Sequence, residues 1–324
     1  MHRTAKAFWI REPGQGEIFE QEVKEAGPGE VRVRTLYSGI SRGTESLVFQ
    51  GRVPASQYQA MRAPFQEGDF PGPVKYGYAS VGRVEQGAKE LLDQLVFCLF
   101  PHQDVYVVPE HAVIPVPGSV PAERAILAAN AETAVNIAWD AEIGPGDRVC
   151  VIGGGVVGCL VTWLAARIPG THVTLVDIEP SRSRLAEHFG AGFAKPDEAP
   201  DDQDVVIHTS ASEPGLSTAL ACAGNEASII EASWYGNMQP SAPFGEDFHA
   251  RRLTLKSSQV GQLPPGRRPR WDHRRRLTLA LSLLDDPALD QLISGQSRFA
   301  ELPQTMVQLA QGSGQTLCHR ITYS

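Results

Sequence analysis

A chain of 324 residues exceeds what one small hydrophobic core organises, so two domains are expected. Apolar residues at 42%, aromatics at 7% and charged residues at 20% give a globular profile and exclude extended disorder. A net charge of −8 repels phosphate backbones and anionic lipid, which excludes nucleic acid and a membrane surface as expected partners.

The first residues, MHRTAKAFWIREPGQ, lack the apolar core of a signal peptide, and no run reaches the ~18 apolar residues of a membrane span. A cytoplasmic location is expected. From Ala5 to about Pro117, short apolar–polar runs punctuated by Gly and Pro (VRVRTLYSG, YASVGRVEQG, LVFCLF, DVYVVPEHAVIPVP) predict a β-rich domain. EVRVRTL and SVGRVEQ alternate with period two, as half-buried strands do. After Pro121 the periodicity turns helical, with Ile126, Ala129, Thr133 and Ile137 recurring on one face.

From Asp147 to about Ser258, β-branched runs alternate with helical segments: RVCVIGGG, HVTLVD, SRSRLAEHFG, DVVIHTS, LSTALACAG, ASIIEASWYG, LTLKSSQV. Such alternation builds a parallel, doubly wound α/β sheet. The basic run GRRPRWDHRRR, with arginines from Arg267 to Arg276, reads as a solvated helix start after a Pro-rich loop. Helices near RRRLTLALSLLDDP and LPQTMVQLAQG and a last strand in LCHRITY look like a return to the first domain. The expected boundaries are 1–131, 132–259 and 260–324. The five cysteines, Cys98, Cys150, Cys159, Cys222 and Cys318, are scattered without a C-x-x-C pair and read as reduced, mostly buried small hydrophobes.

The strongest local signal is VCVIGGGVVGCLVTWLAAR, where Gly153, Gly155 and Gly158 form G-x-G-x-x-G between an apolar strand and an apolar helix. There the first glycine permits the turn, the second admits a pyrophosphate and the third lets helix and strand pack closely. The N–H groups at the start of that helix, on Val156 and Val157, face the phosphates. The next strand ends in Asp177, 24 residues past Gly153, placed to accept hydrogen bonds from ribose hydroxyls. Its charge repels a 2′-phosphate and favours NAD(H) over NADP(H), while Arg182 and Arg184 close by pull the other way.

The order of parts, with GPGDRVCVIGGGVVG, GPGEVRVRTLYSGISRGTE and PVKYGYASVGRV, resembles the medium-chain dehydrogenase/reductase superfamily over essentially the whole chain. That resemblance implies a GroES-like first domain with a Rossmann domain inserted in it, an active site in the cleft between them, a homodimer, and hydride transfer to or from an alcohol, carbonyl or conjugated double bond. Zinc-containing members carry a Cys where this chain has Ser41 or Arg42, and Gly-His-Glu where it has Gly77-Tyr78-Ala79. Neither the catalytic nor the structural zinc is therefore expected. YSGISRGTE and GYASVGRV further resemble zinc-lacking bacteriochlorophyllide dehydrogenase-like proteins, strongest over roughly the first 85 residues.

Without a metal, the resemblance puts Tyr78 at the substrate oxygen as hydrogen-bond donor, Lys75 beside it as the cation that acidifies it, and Thr44 and Ser41 near the proton path. Arg42 is a candidate for the pyrophosphate or a substrate carboxylate. Glu45 reads as a structural anchor for an arginine. His102 is placed at the pocket edge, and Trp234 and Tyr235 of the SWYG turn line the substrate pocket. Two other readings stand beside this one: a dinucleotide-binding redox sensor without turnover, and a zinc enzyme with displaced ligands Glu132, His102 and Cys98.

Overall fold

In the computed structural model, residues 3–312 and 315–323 are described. The alternation in Glu30–Ser41 is realised as Val31, Val33 and Thr35 pointing inward along one 12-residue strand. This strand pairs antiparallel with Ser80–Gln86 and Val105–Pro109, and its far end pairs with Cys318–Thr322, Tyr37 opposite Thr322. The C-terminal strand thus joins the N-terminal sheet. Val31, Val33, Val84, Val96, Phe100 and Tyr106 share one core cluster there. A second sheet joins the hairpin Arg3–Glu12/Gln15–Val23 to the short strands Val74–Lys75 and Glu67–Gly68.

The chain forms two compact units: residues up to 129 with those from 277 onward, and residues 130–276. The second boundary falls later than the expected 260. The reason lies in the basic run. Arg276 is 1% exposed, and its guanidinium bonds Glu132 Oε1 at 3.0 Å, Asn136 Oδ1 and the Val260 carbonyl, all within the second unit. Trp271 packs on Trp139, with Arg275 over the Trp271 ring and Arg267 over that of Trp139. Part of the run read as solvated is therefore structural.

The second unit holds six parallel strands: β1 (Arg148–Ile152), β2 (His172–Val176), β3 (Gly192–Ala194), β4 (Gln203–His208), β5 (Ala223–Glu231) and β6 (Thr254–Ser257). Their spatial order is β3-β2-β1-β4-β5-β6. The order reverses between β1 and β4, and ligands of such sheets bind outside the strand tips at that reversal. Helices Val156–Ala165 and Glu213–Cys222 pack on the sheet through residues such as Cys159, Leu160, Leu216 and Leu220. All five cysteines are buried and free of disulfides. Among the described residues no helix is long and apolar enough to cross a membrane.

Candidate functional site

At the tip of β1 the chain turns on Gly153, whose φ of +107° suits glycine. A Cβ there would lie 2.8 Å from the Ser210 nitrogen, and one on Gly158 would lie 1.9 Å from the Gly153 carbonyl oxygen. Gly155 differs: a Cβ on it meets nothing within 4 Å, so its surface is open. The first intrahelical bond runs from Cys159 N–H to Gly155 O, which leaves the N–H groups of Val156, Val157 and Gly158 without acceptors inside the helix. Open surface, outward N–H groups and the positive end of a helix fit a dinucleotide pyrophosphate.

Asp177 follows β2 and its carboxylate accepts the N–H of Gly154 and, at 2.7 Å, that of Glu179. These bonds hold the acid against the glycine turn. Arg182 lies beside it, buried, with its Cγ 3.0 Å from where a Gly154 Cβ would be. Arg184 is exposed. Ile178, next in the chain, is 83% exposed, an apolar face beside the acid that suits a base plane.

The tips of β4 and β5 carry a polar cluster in which Tyr235 was expected at a pocket but His208 and Glu231 were not singled out from the sequence. His208 and Glu231 are register partners ending those strands. His208 is fully buried; its Nδ1 lies 2.7 Å from Glu231 Oε2 and its Nε2 2.6 Å from Ser210 Oγ. The Tyr235 hydroxyl donates to Glu231 Oε2 at 3.0 Å, and the Ser233 N–H to Oε1 at 2.8 Å. Burial alone would lift the Glu231 carboxyl, but hydrogen bonds from His208 and Ser233 and the His208 charge hold it below its usual range. Burial and the same carboxylate raise Tyr235, which keeps its proton. Trp234 is half-buried in this turn. The available signal was positional: a His and a Glu each ending an apolar β-run at the ligand edge of the sheet.

In the first unit, helix Arg42–Phe49 follows the long strand directly, and Glu45 in its first turn accepts the Ser41 N–H at 2.8 Å. Glu45 Oε2 lies 2.8 Å from His102 Nε2, and His102 Nδ1 lies 2.7 Å from Ser38 Oγ, which meets Tyr323 OH at 3.0 Å. Glu45 and His102 are 3% and 1% exposed. His102 is thus an enclosed partner rather than the pocket edge expected of it, and Glu45 anchors an imidazole rather than an arginine. A Cβ on Gly77 would come within 2.9 Å of the His102 ring, so the residue before Tyr78 is a glycine by necessity.

Tyr78 is half-buried, and the Ser41 and Thr44 side chains lie beside its phenol. Burial, then the Glu45 charge, raise its pKa well above the ordinary value. The expected cation is elsewhere. Lys75 stands opposite Glu67 across a strand pair, so its ammonium bonds Glu67 and, at 2.7 Å, Gln103 Oε1, over the Trp9 and Phe100 rings. Burial lowers its pKa and Glu67 partly restores it. Arg42 is half-buried at the start of the helix.

Two of the side chains read as displaced zinc ligands have other partners. Glu132 is engaged by Arg276, and His102 and Glu45 are engaged with each other. Burial pushes the Cys98 thiol up to about 12. Among the described residues no three His, Cys, Asp or Glu side chains gather where they could hold a metal.

No family model matches the chain. It is 23% identical over 328 residues to D-guloside 3-dehydrogenase of Escherichia coli K12, covering 91% of this chain and 93% of that protein. It is 25% identical over 157 residues to D-xylulose reductase A of Aspergillus oryzae, a stretch spanning 42% of this chain and only 44% of the reductase. Its fold matches L-idonate 5-dehydrogenase of E. coli (TM-score 0.81, 15% identity, 99% of both chains). It also matches acetophenone reductase of Geotrichum candidum in complex with NAD (TM-score 0.77, 19% identity, 99% and 98% of the chains).

Proposed function

We propose that this chain, an oxidoreductase of the medium-chain dehydrogenase/reductase type, transfers a hydride between NAD(H) and an alcohol, carbonyl or conjugated double bond without zinc. The observation that carries the reading is the turn Gly153–Gly158 with Asp177 bonded onto it, open at Gly155 and lined by outward N–H groups. When bound, the nicotinamide supplies or accepts the hydride. The helix N-terminus at Val156 and Val157 holds the diphosphate, and Asp177 takes the ribose hydroxyls and disfavours a 2′-phosphate. Names of the relatives, a guloside dehydrogenase and a xylulose reductase, make polyhydroxylated secondary alcohols and their ketones the first substrate class to test.

Tyr78 donates its O–H as a hydrogen bond to the substrate oxygen and retains the proton, because Glu45 and burial disfavour the phenolate. Ser41 and Thr44 orient that hydroxyl. The proton that the substrate alkoxide takes up on reduction, or that the alcohol loses on oxidation, comes from or goes to solvent, with Thr44 as the candidate relay. Lys75 acts structurally. Arg42 remains the candidate for an anionic group of cofactor or substrate. A cytoplasmic homodimer belongs to the same reading, with sedimentation as its check.

Titration with NADH, followed by fluorescence and melting temperature, tests the cofactor: a rise in Tm and a saturable signal, stronger than with NADPH, are expected. Elemental analysis should find no stoichiometric zinc, and chelator dialysis should leave turnover unchanged. Turnover is then sought on polyols, ketones and ring-bearing substrates, including chlorophyllides. A second reading, a dinucleotide sensor without turnover, is favoured by the carboxylate beside Tyr78 where a cation would promote chemistry. Tight NADH binding with no turnover across the panel would select it.

A further inference from the structure

The chain leaves β1 and β4 side by side, and the two loops that follow touch. Thr209 Oγ1 donates to the Gly153 carbonyl at 2.9 Å, and the Ser210 backbone closes the space above Gly153. From Ser210 the hydrogen bonds run on in one direction. Ser210 Oγ meets His208 Nε2, His208 Nδ1 meets Glu231, and Glu231 holds the Ser233 N–H and the Tyr235 hydroxyl. A cross-tie returns from the Ala211 N–H to Ser233 Oγ at 3.1 Å. Ala211 has φ +52°, a conformation a non-glycine residue holds only where its surroundings fix it.

We propose that His208 and Glu231 are positioning residues, which set the turn 233–236 and the Tyr235 phenol against the nicotinamide half of the dinucleotide. The proposal rests on the dinucleotide reading above and assigns its two halves to different parts of the unit. The adenylate half lies on the glycine turn and Asp177. The nicotinamide half lies one loop further along the strand tips, where the wall is Tyr235 and Trp234. Glu231 carries three partners, His208 and the Tyr235 hydroxyl on Oε2 and the Ser233 N–H on Oε1, so its carboxylate ties the turn to the neighbouring strand tip. Its charge is spent on shape, and the imidazole between it and Ser210 locks that shape to the glycine turn. Tyr235 is half-buried, and its hydroxyl oxygen retains acceptor capacity for an amide N–H while its proton serves Glu231.

The test compares NADH with ADP, which lacks the nicotinamide half, by fluorescence titration and calorimetry on Tyr235→Phe, Glu231→Gln, His208→Asn and His208→Leu. Asn keeps a donor at the Nδ1 position; Leu does not. The expected result is a loss of NADH affinity of about tenfold in Tyr235→Phe and in His208→Leu, the worth of one hydrogen bond, with ADP affinity within about twofold of the parent. His208→Asn is expected to recover most of the loss. Should either buried variant fail to fold, Tyr235→Phe, on a half-exposed side chain, carries the test alone. Equal weakening of NADH and ADP, or unchanged NADH affinity in Tyr235→Phe, overturns the positioning role while leaving the cofactor reading standing. Failure of the parent protein to bind ADP or NADH overturns both.

Discussion

At the glycine turn the groups presented are main-chain N–H groups, held by a β-strand tip, a helix start and the absence of four side chains. Around Tyr78 they are side chains, Ser38, Ser41, Thr44, Glu45, His102 and Tyr323, drawn from three separate stretches of the first unit. The first arrangement needs only that no Cβ intrudes, a local condition written in six consecutive residues. The second needs every buried partner present, since removing one leaves another without its hydrogen bond. A backbone site is therefore fragile to additions, a side-chain network to deletions.

Gly158→Val breaks the comparison at its most sensitive point. A Cβ there collides with the Gly153 carbonyl, so a stability loss of about 3 kcal/mol and abolished NADH binding are expected in melting and titration experiments. A smaller loss, about 2 kcal/mol, is expected for Glu45→Gln or His102→Leu, with NADH binding unaffected because the glycine turn is in the other unit. The double variant Glu45→Gln/His102→Leu should cost less than the two singles added, as a double-mutant cycle in chemical denaturation would reveal.

Gly155→Ala sharpens the contrast with Gly158. Its methyl group meets no protein atom, so melting should be unchanged while NADH affinity falls about tenfold, ~1.4 kcal/mol. Tyr78→Phe keeps the ring and removes one hydroxyl. A stability change of about 1 kcal/mol or less is expected, with turnover reduced at least tenfold and NADH affinity intact. The smallest effect is one of pH. Glu231 has a folded pKa below its ordinary 4.5, so its contribution is fully present above 4.5 and is lost as pH falls through the folded value. Melting curves below pH 4.5 should accordingly fall less steeply for Glu231→Gln than for the parent protein.

Much of the fold was legible because it depends on short-range pattern. Period-two burial marked Glu30–Ser41, strand–helix alternation marked the doubly wound sheet, and the glycine triplet marked the turn at the tip of β1. The partners of charged side chains were not legible. Lys75 reads as a cation for Tyr78 three residues away, yet strand pairing sets it opposite Glu67. Arg276 reads as one solvated arginine among several, yet it is buried against Glu132, 144 residues earlier.

What the sequence alone determined is the backbone chemistry: where a chain can turn without a Cβ, where a helix begins, which faces are apolar. These follow from a few neighbouring residues. Only the tertiary structure decided which acid meets which base. Glu45 and His102 are 57 positions apart and His208 and Glu231 are 23 apart. Strand register and loop packing set those encounters, and the electrostatics of a buried group depends on whatever arrives beside it.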